Sequence, residues 1–181
     1  MKLLLGVCGG IAAYKSCELV RRAREAGHEV QVVLTESATR FVTPLTFEAL
    51  SGRAVATSLW VAGDSSIEHI RLARWPDVIV IAPATAQTLA RLAHGFADDL
   101  LATVVLASRG DVPVVIAPAM NTAMWENPLV AANVATLAAV DGGRRYRFVS
   151  PAARLLACGE SGMGALAPEA EILAACEAAQ E

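Results

Sequence analysis

The stretch Val112-Pro113-Val114-Val115-Ile116-Ala117-Pro118-Ala119-Met120-Asn121-Thr122-Ala123-Met124-Trp125-Glu126-Asn127-Pro128 decides the fold of this chain. Residues 112–117 are almost continuously apolar and rich in β-branched side chains, the pattern of a strand buried on both faces of a parallel sheet. Pro118 should stop that strand, because it has no N–H to give to a ladder. Open α/β sheets place ligands at the carboxyl ends of their strands. Here that end carries Met120, Asn121, Met124 and Trp125 rather than the Gly, Ser and Asp of an ordinary loop. One amide, two thioethers and an indole suit a flat apolar ligand with one polar group to be held.

Working outward, apolar strands alternate with helical segments. Residues 2–7, 30–34, 78–82 and 112–117 read as strands, and 146–149 as an edge strand. Residues 11–26, 44–51, 85–94, 98–107, 129–140 and 169–179 read as helices. The 44–51 helix carries Pro44 near its start and stops at Gly52, the expected asymmetry of helix ends. Strands spaced by helices give a doubly wound parallel sheet, a flavodoxin-like or Rossmann-like three-layer α/β sandwich. At 181 residues the whole of 1–181 reads as one domain.

Composition excludes several classes. Hydrophobic residues make up 55% of the chain, yet no apolar run reaches the ~18 residues that cross a bilayer. The start, Met1-Lys2-Leu3-Leu4-Leu5-Gly6-Val7, is too short for a signal peptide. A net charge of −3 gives no basis for nucleic-acid binding, and Arg144-Arg145-Tyr146-Arg147 reads as a solvated turn. The four cysteines form no Cys-x-x-Cys pair and suggest no metal site; free thiols fit a cytoplasmic protein. The excess apolar character points to buried strands and to subunit interfaces.

Several positions are candidates for chemistry. Gly9, Gly10 and Ile11 lie between the first strand and the first helix, where glycines let backbone N–H groups approach a phosphate. The turn is not Gly-x-Gly-x-x-Gly, so a mononucleotide fits it better than a dinucleotide; a ligand-free tight turn is the alternative. Thr35 and Ser37 follow the second strand and offer hydroxyls to the same phosphate, or cap a helix. Thr85, Ala86 and Gln87 follow the third strand, and Thr85 also suits an ordinary N-cap. His28 lies in a surface turn and His94 at a helix end, whereas His69 follows a polar loop and opens an amphipathic segment. Asn121 can be a turn or N-cap residue, and Met120 and Met124 core fillers. Cys158 sits in Ala157-Cys158-Gly159-Glu160-Ser161-Gly162-Met163-Gly164, either as a small buried thiol or on a glycine-rich flap over a ligand.

Pro118-Ala119-Met120-Asn121-Thr122-Ala123-Met124 resembles the Pro-x-Met-Asn-x-x-Met signature of the homo-oligomeric flavin-containing cysteine decarboxylases. Gly9-Gly10-Ile11-Ala12-Ala13-Tyr14-Lys15, Phe41-Val42-Thr43-Pro44-Leu45-Thr46-Phe47, His69-Ile70-Arg71-Leu72-Ala73-Arg74-Trp75, Ala82-Pro83-Ala84-Thr85-Ala86 and Ala157-Cys158-Gly159-Glu160 resemble the phosphopantothenoylcysteine branch, in its order. The resemblance implies bound FMN and decarboxylation of 4′-phosphopantothenoylcysteine to 4′-phosphopantetheine in coenzyme A biosynthesis. It implies His69 as catalytic base and Cys158 as proton donor, and Asn121 with Met124 at the substrate. Gly9, Gly10, Ile11, Thr35, Ser37, Thr85, Ala86, Gln87 and Ala119 fall to the cofactor. Gln87 replaces an expected Asn, and Ala165 an Arg found in many bacterial relatives.

By the same resemblance, FMN oxidises the thiol carbon to a thioaldehyde, which accepts the electrons released with CO₂. Hydride then returns from the flavin as Cys158 supplies a proton. The implied assembly is a homotrimer or a dodecamer. Because a ligase domain commonly follows this one in the branch, a separate phosphopantothenate–cysteine ligase is the expected partner of a chain ending at Glu181. A peptidyl-cysteine decarboxylase and a non-catalytic flavin-binding regulatory subunit are the alternatives.

Overall fold

A computed structural model describes residues 1–60, 68–157, 159 and 161–180. The polar loop before His69, Cys158 and Glu160 lie outside the described residues. Strands β1 (Lys2–Val7), β2 (Glu29–Leu34), β3 (Val78–Ala84), β4 (Val114–Pro118) and β5 (Tyr146–Phe148) form one parallel sheet in the order β2-β1-β3-β4-β5. This is the flavodoxin-like order, whose switch point lies between β1 and β3.

Alternation along each strand divides the core in two. Leu3, Leu5, Val7, Val78 and Val80 face one layer, which contains α1 (Lys15–Glu25) and α8 (Glu169–Ala178). Leu4, Ile79, Ile81, Val114 and Ile116 face the other, with α3 (Glu68–Arg74), α4 (Ala86–His94), α5 (Leu100–Ala107) and α7 (Pro128–Ala139). Both faces of the sheet are covered, so both phases of each strand must be apolar. This accounts for much of the high hydrophobic content. The helix α2 (Pro44–Ser51) has the predicted bounds and packs on α1. None of the described helices is long and apolar enough to cross a membrane.

The helix starts follow the caps in the sequence. The Thr85 hydroxyl accepts the Thr88 N–H, and Asp99 accepts that of Ala102 at 2.7 Å. Asn127 accepts the Leu129 N–H at 2.9 Å, with Pro128 in the first helical position. The first predicted helix divides into a short 3-10 turn (Ile11–Tyr14) and α1.

Four expectations need correction. Pro118 does not lie beyond its strand but is its last residue, paired with Ala84. At that position no ladder N–H is required of it, and the next one, from Ala119, reaches the Ala84 carbonyl at 3.0 Å. A second, two-stranded antiparallel sheet, β6 (Ala152–Leu155) and β7 (Ser161–Ala165), stands where only a glycine-rich flap was expected. His28 is not simply exposed: its Nε2 lies 3.0 Å from Glu177 of α8.

Arg145 is the fourth. It is not part of a solvated turn but only 7% exposed. Its guanidinium donates to the carbonyls of Arg109 at 2.7 Å and Val105 at 3.2 Å, to the Ser108 hydroxyl at 2.6 Å, and to the Val112 carbonyl. It therefore ties together the segment between the end of α5 and the start of β4, where the Val105 and Arg109 carbonyls also accept from the Ser108 hydroxyl and the Val112 N–H. Arg145→Ala should lower stability by about 3 kcal/mol, because several hydrogen bonds from one buried charged donor are lost together. The exposed Arg144→Ala should stay within about 0.5 kcal/mol of wild type. Chemical denaturation of the two variants checks the contrast.

Candidate active site

At the β1/β3 switch point the chain leaves three strands in succession. The turn after β1 supplies Gly9, Gly10 and Ile11, that after β3 supplies Thr85 and Ala86, and that after β4 supplies Ala119, Met120 and Asn121. Together they line a cavity of about 570 Å³, with Met124 beside them and β6 and β7 contributing Arg154, Leu155, Gly164 and Ala165. This volume is within the ~300–1,000 Å³ of ligand sites. A second cavity, about 220 Å³ at Arg24, His28, Glu29 and Arg53, is smaller than that range, and its Arg53 and Glu29 are already paired with each other.

The hairpin is held over the cavity by close approach. A side chain at Gly164 would overlap the Met120 carbonyl oxygen, and one at Gly162 would overlap the Thr122 hydroxyl. Gly164 has a φ of 141°, a region that side chains rarely adopt, and its carbonyl accepts the Met120 N–H at 2.9 Å. The roof is thus fastened to the loop bearing Asn121.

Asn121 caps α6 (Thr122–Trp125), its Oδ1 accepting the Met124 N–H at 2.8 Å. That bond fixes which end of the amide is used locally and leaves the two Nδ2 donors for another partner. The Gly9 and Gly10 N–H groups donate to no acceptor among the described residues. No atom lies within 4 Å of where a Gly10 side chain would begin, and a side chain at Gly9 would strike Ser37. Two free donors on the cavity lining fit a phosphate, and the apolar walls at Ile11, Ala86, Ala119 and Met124 fit a flat ring system. Among the described lining residues Lys15 and Arg154 are cationic and none is a carboxylate.

Beneath the glycine turn, Cys8 is buried and receives the Thr88 hydroxyl on Sγ at 3.1 Å. Burial, only partly offset by that hydrogen bond, pushes its thiol up to about 11, so it stays neutral at physiological pH.

Of the residues anticipated from sequence, Gly9, Gly10, Ile11, Thr85, Ala86, Ala119, Asn121 and Met124 line the cavity. Thr35, Ser37, Gln87 and His69 do not. The Thr35 hydroxyl accepts the Ala38 N–H at 3.3 Å, a local turn role. Ser37 lies against Gly9, behind the lining. Gln87 is exposed on α4. His69 lies in the first turn of α3, half-buried; that helix leads back into the start of β3, so the turn is at the cavity's edge of the sheet. Tyr14, Lys15 and Arg154 also line the cavity, and the sequence does not single them out. Tyr14 and Lys15 are hidden inside a predicted helix. Arg154 stands two residues before the Leu156-Ala157-Cys158 run, and that nearness to the flap is the one signal for it in the sequence.

The family model described as Flavoprotein matches residues 1–179. The chain is 48% identical over 177 residues to the coenzyme A biosynthesis bifunctional protein CoaBC of Vibrio vulnificus, covering 97% of this chain and 43% of that protein. It is 48% identical over 165 residues to CoaBC of Bacillus subtilis, covering 91% and 39%. The chain thus spans less than half the length of these relatives. Among solved structures, a PPC decarboxylase mutant complexed with pantothenoylaminoethenethiol superposes with a TM-score of 0.84 at 32% identity, covering 98% of this chain and 96% of that one. The FMN binding protein AtHal3 superposes with a TM-score of 0.80, also at 32% identity, covering 98% and 95%. The family model, matching nearly the whole length of the chain, places it in the Flavoprotein family.

Proposed function

We propose that this chain binds FMN in the strand-end cavity and decarboxylates 4′-phosphopantothenoylcysteine to 4′-phosphopantetheine, within coenzyme A biosynthesis. The observation that carries the reading is the meeting of two unused N–H groups, at Gly9 and Gly10, with a locally fixed Asn121 amide across one apolar cavity. CoaBC relatives near 48% identity favour this substrate over a peptide.

When bound, FMN supplies the reversible two-electron acceptor that gives the cysteinyl carbon an electron sink, with no net redox change. The protein's part is placement and proton movement. Gly9, Gly10 and Ile11 hold the cofactor phosphate, while Thr85, Ala86 and Ala119 form the wall against its ring. Asn121 gives its Nδ2 donors to the substrate carboxylate, and Met124 packs beside it. His69 accepts a proton during thiol oxidation, the part of a general base. Cys158 returns a proton to the product. An enzyme of the ligase class, joining cysteine to phosphopantothenate, must supply the substrate.

The assignment to Asn121 is testable because Asp caps a helix as well as Asn does. Asn121→Asp should therefore keep its stability and its yellow colour but place a carboxylate against the substrate's. Its specificity for phosphopantothenoylcysteine should fall by at least about 100-fold, from loss of a charged hydrogen bond plus like-charge repulsion. Mass analysis of CO₂-loss products from wild type and variant, with a cysteine-terminated peptide as control, decides it. Unchanged substrate affinity in the variant, or turnover of the peptide alone, contradicts the reading.

The working form is a homo-oligomer, a trimer or a dodecamer built of trimers. Ile11, Tyr14 and Leu155 line the cavity yet are 62%, 60% and 71% exposed, so its rim is apolar surface open to solvent. A second copy against that rim would bury it and could bring the partner subunit's His69 to the cavity. Mixed oligomers of His69→Asn and Asn121→Asp subunits should then regain activity that neither variant has alone. An active monomer, or mixed oligomers as inactive as their parents, contradicts this arrangement.

A further inference from the structure

We infer that Arg154 is the specificity-determining residue that holds the phosphate end of the substrate, an inference that rests on the substrate proposed above. Seven arginines of this chain, Arg21, Arg22, Arg53, Arg71, Arg91, Arg109 and Arg144, are engaged in ion pairs. Arg24, Arg145 and Arg147 donate to backbone carbonyls. Arg40, Arg74 and Arg154 do neither among the described residues, and of these three Arg154 is the one that lines the cavity. A guanidinium left unpaired among the described residues, beside a cavity whose described lining holds no carboxylate, is available to an anionic ligand.

The ligands proposed for this cavity bring two phosphates, one on the cofactor and one on the substrate. The glycine turn accounts for one of them. Lys15 opens α1 directly after that turn and so belongs with the same phosphate. Arg154 stands instead on the hairpin that roofs the cavity. It pairs across the hairpin with Gly162, and Gly162 lies against Thr122, the residue after Asn121. With the glycine turn given to the cofactor and Asn121 to the carboxylate, the substrate phosphate falls to Arg154, on an element fastened to the one that carries Asn121. A planar guanidinium with five donors suits a phosphate, which it can engage through two parallel hydrogen bonds.

The test uses the FMN-loaded protein and reads binding rather than turnover. 4′-Phosphopantetheine and pantetheine, which differ only in the phosphate, are titrated calorimetrically into wild type, Arg154→Ala and Arg154→Lys. Wild type should prefer the phosphorylated ligand. Arg154→Ala should lose about 10- to 100-fold in affinity for it, the range for removing a hydrogen-bonded charge partner, and hold pantetheine within about 2-fold, the scale of a neutral surface change. Arg154→Lys should keep part of the preference. Equal losses for both ligands, or a wild type indifferent to the phosphate, would overturn the role of Arg154 and leave the decarboxylase reading standing. A yellow wild type that binds neither ligand would overturn that reading, and the inference with it.

Discussion

The parallel pairing of β1 with β3 is the constraint from which the rest of this molecule follows. β2 lies on the far side of β1, so the chain turns away in opposite directions after these two neighbouring strands. Their carboxyl ends cannot both be covered by the same crossover, and a crevice results. Its floor is drawn tight by the Cys8 N–H donating to the Pro83 carbonyl at 3.2 Å. Gly9 and Gly10, immediately after Cys8, are thereby set opposite Thr85 and Ala86. β4, the next strand along, delivers the Ala119–Asn121 segment to the same opening.

Close backbone approach does the remaining assembly. Gly9 admits Ser37 from the end of β2, and Gly162 and Gly164 let the hairpin settle on α6 and on the residues before it. A site built this way is stiff where it must hold one polar group, because the Asn121 amide is already committed at its oxygen to the Met124 N–H. It stays open on the side where Ile11, Tyr14 and Leu155 meet solvent. Cys8 illustrates the same economy: a thiol held neutral by burial fills space under the phosphate turn without bringing charge to it.

Much of this was legible because it is written in local chemistry. Helix α2 announced itself through Pro44 and Gly52, and α4 through Thr85, a cap that also lines the cavity. Strands β1 to β4 were largely apolar runs, and the loop after β4 stood out by its composition. What escaped depends on contacts distant in sequence. Arg145 is buried where it donates to carbonyls 33 to 40 residues earlier, and nothing in Arg144-Arg145-Tyr146-Arg147 distinguishes the one that turns inward. The β6–β7 hairpin lacks the β-branched alternation of a strand, being held by glycine contacts to Met120 and Thr122. Gln87 and Thr35 lay near the site in sequence, but helix phase and a local turn bond keep them from the cavity.

The account claims above all that flavin and substrate share the crevice opened by β1, β3 and β4. A crystal structure of this chain with FMN and 4′-phosphopantetheine tests it most directly. The isoalloxazine is predicted against Ala86 and Ala119, with the cofactor phosphate on the Gly9 and Gly10 N–H groups and the pantetheine thiol end beside Asn121. Density for either ligand at the opposite edge of the sheet, in the cavity of Arg24, His28 and Arg53, with the strand-end crevice empty, would contradict it.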